Sequence, residues 1–526
     1  MIEQSSRNWG GSGIKTDLLL FFVVEMFLLI TFPENRTETD DGAWYAYMVR
    51  DQSIHSLYNP RFLLFLPFMK LIAGVLPGVD TYHLLCYVSM AFAGLAIVLL
   101  RNILIKFTSW PTVVSWWVII LVLISYEFWR YAFESEVYML AIFMVLACLY
   151  FQLELYQQGK DWRTLTALIL CSSLAVLFYK PAFIIVFLIL PFLLAVKQRW
   201  KYAFLLYGVS GVIILGFYFL TYKYYLLKPD SFVAHFMGGV NDPVGNPWMA
   251  PVVVVSNFIS TMWVFGVREL GGIVSSAFAH KVVQEELLTA SQVGNTSYFL
   301  MFLCAVLFVL LAAALFFAVR YFRRNGMSLP VFIVVFLVIV VIYGSFLVVM
   351  DPSSNEPWIM LTIPLAILLG NYLFLPVYYA GRRWLVHSIL FVVLLINYIG
   401  GIGLLKDSSC DFNRLKTEWL SQNARDGDLI LSLGPMSFIR YLNYYTKGEA
   451  YNYEEQLMMN APMFDSLNAF QGEIYITEDM IEPIPAITFR SGITSEVLDS
   501  VFMKYYYVPV PVDTSNNFVT YKLVKR

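Results

Sequence analysis

Two carboxylates stand side by side in "TFPENRTETDDGAWYAYMVRDQSIHSLYNPRF", residues 31–62. Asp40 and Asp41 lead into "GAWYAYMVRD", and His55 and Arg61 follow it. A carboxylate held at a bilayer boundary under aromatic rings is partly stripped of water. It can then serve as general base for a hydroxyl or amine. The plainer account is that two acids keep a loop solvated, although acids do little to orient a membrane protein. A second polar stretch, "YEFWRYAFESEVYML" (126–140), gathers Glu127, Arg130, Glu134 and Glu136. Charges this close to lipid pair with each other or face a cavity. Arg130 has the planar donor fork that grips a phosphate. It also stands four residues before Glu134, the spacing of a helical ion pair. Lys180, in "FYKPAF", either meets a phosphate at its turn or snorkels. Arg268 and Glu269 follow an interrupted apolar stretch.

Only a membrane scaffold could position these groups. The 526 residues are 59% hydrophobic, 17% aromatic and 14% charged, against about 25% charged in soluble domains. Mean hydropathy is +0.67, and apolar runs near 20 residues recur, the length of a spanning helix. Eleven spans are read at 17–33, 82–106, 111–127, 136–155, 164–179, 181–197, 202–222, 298–319, 329–350, 358–377 and 384–405. With Lys15 inside, alternation puts nearly every tight Lys/Arg cluster on the cytoplasmic side, as the positive-inside bias requires. Both polar stretches then fall on the outer side. Stretches 62–77 and 250–267 would invert this pattern if they crossed. The first is short and broken by Pro67, Lys70 and Pro77, and reads as a re-entrant or interfacial helix pair.

After Lys406 the pattern changes. "GDLILSLGPMSFIRYLNYYT" reads as a strand then a helix, "GEIYITEDMI" as a strand, and "KYYYVPVPV…FVTYKLVKR" as a hairpin. Residues 1–406 thus form a transmembrane domain, and 407–526 an extracytoplasmic α/β domain. Net charge of -2 argues against nucleic acid. The five Cys make no CxxC or disulfide framework. The five His make no zinc motif, and there is no P-loop, GxGxxG before a strand, or GxSxG.

A first helix followed by an acidic outer loop that continues as a helix resembles the GT-C superfamily of membrane glycosyltransferases. The likeness is closest to the branch of protein O-mannosyltransferases and lipid A aminoarabinose transferases. There an acidic pair precedes a helix with a Tyr-Ala step, matched here by "DGAWYA" from Asp41 to Ala46, with Gly42 where the family often has Glu. The family's second outer loop carries acids and an Arg, as here with Arg130, Glu134 and Glu136. The resemblance implies an α-helical GT-C-like protein of about 11 spans, with re-entrant or interfacial helices and a small C-terminal soluble α/β domain. It implies transfer of a sugar, with inversion, from a polyprenyl-phosphate donor to a protein, lipid or glycan acceptor. The setting would be the outer face of a bacterial inner membrane. Asp41 would be the base and Asp40 its partner. Arg130, Lys180, Arg268, Glu134, Glu136, His55, Arg61 and Tyr45 would bind donor phosphate or substrate. A divalent cation, if used, would sit among Asp40, Asp41 and Glu136.

Three other readings stay open. A polysaccharide polymerase or ligase carries an Arg-rich loop in mid-chain, whereas the acids here lie in the first loop. A transporter places charge mid-helix and repeats its halves, and neither pattern is visible. An envelope scaffold would survive loss of both loop carboxylates.

Overall fold

The computed structural model describes residues 12–34, 41–158, 161–224, 231–237, 257–263, 297–326, 330–350, 356–406, 408, 411–434, 436–453, 470–483 and 492–526. Asp40, Arg268 and most of the 250–267 stretch lie outside these.

Apolar sequence with no water to satisfy its backbone must close its own hydrogen bonds, and here it does so as helices. The order is α1 (Ser12–Ile30), α2 (Gly42–Asp51), α3 (Phe65–Val75), α4 (Thr81–Phe107), α5 (Thr112–Ile124), α6 (Tyr126–Tyr131), α7 (Tyr138–Gln158) and α8 (Trp162–Phe178). Next come α9 (Ile184–Val196), α10 (Trp200–Tyr224), α11 (Phe232–Met237), α12 (Ser297–Asn325), α13 (Val331–Met350), α14 (Glu356–Tyr379) and α15 (Arg383–Leu405). Seven of these (α4, α7, α10, α12, α13, α14 and α15) are long and apolar enough to cross a membrane, so this is an integral membrane protein. The other four expected spans are also helices. Three are short, and α1 carries Lys15, Asp17 and Glu25. Phe204, Val212 and Phe308 point outward from the bundle, as side chains facing lipid do.

The helices bury one continuous core, in which α4 packs on α1 and α7, and α7 on α8. Gly94 lets α1 approach α4, because a Cβ there would come within 2.3 Å of Glu25 Oε1. The 62–77 stretch folds as the single helix α3, not a pair, and its 11 residues are too few to span. Helix α2 also departs from a helix lying free on the membrane surface. Tyr45 and Val49 are buried toward α3, and Ala43 and Ala46 toward a helix of the C-terminal region.

That region holds a five-stranded sheet in the order β2-β1-β3-β5-β4. The strands are β1 (Leu429–Ser432), β2 (Glu449–Asn452), β3 (Ile474–Thr477), β4 (Tyr507–Asp513) and β5 (Thr520–Lys525). Helix α16 (Phe412–Asn423) precedes β1, α17 (Met436–Tyr445) links β1 to β2, and α18 (Ser495–Lys504) precedes β4. Strands β1 and β2 are parallel, as a helical crossover demands. The 507–525 segment is the expected antiparallel hairpin. Alternation of side chains divides the apolar residues: Leu429, Leu431 and Ile476 pack with α18, while Ile430, Ala450 and Tyr475 pack with α16 and α17.

Candidate active site

Asp41 is the N-cap residue of α2, so its position is set by where that helix starts. The Tyr45 hydroxyl, one turn on, donates to Asp41 Oδ2 at 3.3 Å. On its other oxygen Asp41 takes an ion pair from Arg440 of α17. The Arg440 guanidinium also lies over the Trp44 ring, 5.3 Å from its centroid. The carboxylate is therefore oriented from two sides while staying partly open to solvent, with 28% of its side chain exposed.

The second polar stretch is buried from Ser125 to Leu140. Arg130 Nε donates to Glu134 Oε1 at 2.7 Å, the pair that the i, i+4 spacing predicts. The guanidinium lies 5.1 Å from the Tyr131 ring centroid. Glu127 and Glu136 are buried beside this pair. Tyr138 donates to Glu356 Oε2 at 2.9 Å, which brings a carboxylate from α14 to the same place. Burial first, then the charges of Glu356, Glu127 and Glu134, push the Tyr131 hydroxyl well above its ordinary pKa, against the pull of Arg130. Tyr131 thus stays neutral among these acids.

Two more expected residues meet at a third point. The Lys180 backbone N–H donates to the Arg61 carbonyl at 2.9 Å. The Lys180 ammonium donates to the Phe236 carbonyl of α11. Burial, and then the charge of Arg61, lower its pKa to about 8. His55 is exposed on the 3-10 turn Ile54–Ser56.

The first two groups meet at the start of α2. A Cβ at Gly42 would fall 2.2 Å from Ser135 Oγ and 3.3 Å from a Tyr82 ring carbon, so the first and second stretches touch. That contact leaves no space at position 42 for the Glu common in the family the sequence resembles. Tyr45 packs edge-on against Phe62 at 5.2 Å, next to Arg61. Asp41 and Tyr45 thus adjoin the Arg130–Glu134 stretch at Ser135, while Arg61 and Lys180 meet each other through the backbone. No group of three or more His, Cys, Asp or Glu among the described residues is arranged to hold a metal ion.

Sequence reasoning missed Arg440, Asp80 and Tyr444. Asp80 caps α4 and accepts from the backbone N–H and ring of His83. It also accepts from the Tyr444 hydroxyl at 2.8 Å. Burial opposes its ionisation, but these hydrogen bonds prevail and hold Asp80 well below the usual carboxylate range. Arg50 donates to the Tyr444 carbonyl at 3.0 Å and stacks 4.4 Å from its ring centroid. The only available signal was "FIRYLNYY", which sets Arg440 and Tyr444 one turn apart on one helix face.

The arrangement is that of a polytopic membrane protein with an acid-bearing helix clamped between bundle and sheet region, and solved structures place it more closely. No family model matches the chain, and no curated protein matches its sequence. Its fold is shared with solved membrane proteins at low sequence identity. It is similar to ArnT from Cupriavidus metallidurans in the apo state, with TM-score 0.50 and 10% identity over 97% of this chain and 98% of that one. For ArnT bound to undecaprenyl phosphate the TM-score is 0.51, with 12% identity over 97% of each chain. The oligosaccharyltransferase AglB from Archaeoglobus fulgidus, in complex with an inhibitory peptide and a dolichol-phosphate, gives 0.48 and 12% identity over 98% of this chain and 75% of its own.

Proposed function

We propose that this protein is a membrane glycosyltransferase. It would move a hexosyl or pentosyl group from a polyprenyl-phosphate donor to a protein, lipid or glycan acceptor, with inversion. The observation that carries the reading is Asp41, oriented by Tyr45 and Arg440 beside a buried group of cations and acids, in a fold shared with a protein solved with undecaprenyl phosphate.

In this reading the donor phosphate meets Lys180, Arg61 and Arg130, where charge-assisted hydrogen bonds hold it and stabilise it as a leaving group. The acceptor hydroxyl attacks the anomeric carbon from the opposite face. The new C–O bond forms as the bond from that carbon to the phosphate oxygen breaks. The electron pair stays on the phosphate, and the acceptor proton passes to Asp41. Glu134 keeps Arg130 oriented, and Glu136 would meet sugar hydroxyls. A divalent cation, if used, would sit among Asp40, Asp41 and Glu136; Asp41 already has a cationic partner in Arg440, and no step is routed through a metal. Lys/Arg bias supports a site on the outer face of a bacterial inner membrane. On that side 1–406 would act as the catalytic domain and 407–526 as a unit covering it.

The test is transfer from a radiolabelled polyprenyl-phosphate sugar by the protein in proteoliposomes. Asp41→Asn should lower turnover about 10²–10⁴-fold, the usual effect of removing a general base, with donor binding near normal. Full activity in folded Asp41→Asn would refute Asp41 as the base, and no transfer by the wild-type protein from any such donor would refute the glycosyltransferase reading.

A further inference from the structure

A groove of about 490 Å³ runs along the seam between α2 and the sheet region. Its walls include Tyr47 and Asp51 from α2, and Asp426, Tyr445, Lys447 and Glu449 from the other side. Its size lies within the range of small-ligand sites. Helices α2 and α17 lie side by side with Asp41 against Arg440 at one end and Arg50 against Tyr444 further along. At a rise of 1.5 Å per residue, Tyr47 lies roughly 9 Å along α2 from Asp41, and Asp51 roughly 15 Å.

The lining selects a chemistry. Arg50 and Lys447 face Asp51, Asp426 and Glu449, so the charges nearly balance with one acid in excess. Such a wall does not attract phosphate or an anionic headgroup. Arg50 is paired with both oxygens of Asp51, at 3.0 Å to Oδ1 and 2.9 Å to Oδ2, so its charge is already matched. Carboxylates, an ammonium and Thr446 alternate with the Tyr47 and Tyr445 rings, so donors and acceptors stand beside flat apolar faces. Sugars present both kinds of surface. A peptide would use the edge of the sheet instead, since β2 is an edge strand. That edge is already covered: the Asn443 amide donates to the Ala450 carbonyl at 3.0 Å and accepts from its N–H at 2.8 Å. Covering an edge in this way blocks strand addition.

We propose that the groove binds a neutral glycan, as the acceptor subsite that holds the sugar units beyond the one whose hydroxyl reaches Asp41. The acceptor role rests on the glycosyltransferase reading, whereas the binding does not. The test uses the full chain in nanodiscs and saturation-transfer NMR with neutral trisaccharides (mannotriose, maltotriose, chitotriose), inorganic phosphate and an uncharged tripeptide. A trisaccharide should bind, and Tyr47→Ala or Asp51→Asn combined with Lys447→Met should weaken it at least tenfold. Tyr47→Phe, which keeps the ring, should retain binding. Phosphate and tripeptide should give no signal that these variants remove. If no trisaccharide binds, or if binding ignores the variants, the proposal falls, and tripeptide binding lost in the same variants would replace it with a peptide site. Binding must persist in Asp41→Asn. A trisaccharide bound by wild-type protein that transfers no sugar from a polyprenyl-phosphate donor would refute the transferase reading and leave the glycan site standing.

Discussion

The Asp41–Arg440 pair joins the proposed base to the sheet region, and removing the cation tests whether that region takes part in the chemistry. The perturbation is Arg440→Gln, which keeps length and hydrogen bonding but removes charge. The side chains are 27% and 28% exposed, between a surface pair of about 0.2–1 kcal/mol and a buried charge-assisted bond of about 1.5–3 kcal/mol. A coupling of about 1–2 kcal/mol follows, or roughly 5–30-fold in turnover, since 1.4 kcal/mol is a factor of ten. Stacking of Arg440 on Trp44 adds at most about 1 kcal/mol at a partly exposed site. The assay is a double-mutant cycle on transfer rate with Asp41→Asn, Arg440→Gln and the double variant, each checked for an unchanged melting temperature. Arg440→Gln should slow the wild-type enzyme by that factor and add nothing in the Asp41→Asn background. Strictly additive effects, or a fully active Arg440→Gln, would show that the pair only docks the sheet region and does not orient the base.

Lys180 gives a pH test with opposite signs. Its pKa of about 8 lies below the 10.5 of an ordinary lysine. The folded chain therefore binds fewer protons than the unfolded one between those values, and stability should rise with pH across that window. A phosphate held by the ammonium should be lost over the same window. kcat/KM for the donor should fall above about pH 8 in wild type but not in Lys180→Arg, and identical profiles would remove Lys180 from the donor site. Gly42→Ala should cost about 1–3 kcal/mol through overpacking, and Ser135→Ala should restore much of it, read by thermal unfolding. Arg130→Ala strands the buried Glu134 and should cost about 3–5 kcal/mol. Arg130→Met with Glu134→Leu should recover stability, and if that double variant also keeps donor affinity, Arg130 is structural and not a phosphate ligand.

The membrane part was legible because lipid imposes one rule everywhere: satisfy the backbone within a run of about 20 apolar residues. Apolar runs therefore placed a helix at each of the eleven expected spans, seven of them long and apolar enough to cross a membrane. It did not foresee that α2 would be buried on two sides. Trp44, Tyr45, Met48 and Val49 mark an apolar face, but Ala43 and Ala46 look neutral until Tyr441 and Tyr444 cover them. In the sheet region, β1 ("LILS") announced itself by a short apolar run and β3 ("IYIT") by β-branched and aromatic residues. Strand β2, "EAYN", has the half-exposed pattern of an edge and too weak an apolar signal to be read.

The same contrast separates the site residues. The Arg130–Glu134 pair was legible because its partners lie within one helical turn, a distance that sequence spacing encodes. Arg440 is 399 residues from Asp41, and nothing local to either distinguishes that pair from a solvated acid and a surface Arg. Chain topology makes the difference. The crossover from β1 to β2 must be helical, and the polar and aromatic face of that helix needs a partner. The exposed side of α2, with two alanines between the aromatics, is smooth enough for α17 to approach. Docking there carries Arg440 to the N-cap of α2, where Asp41 already points. The acid thus ties the membrane bundle to the sheet region, and the double-mutant cycle measures how strongly.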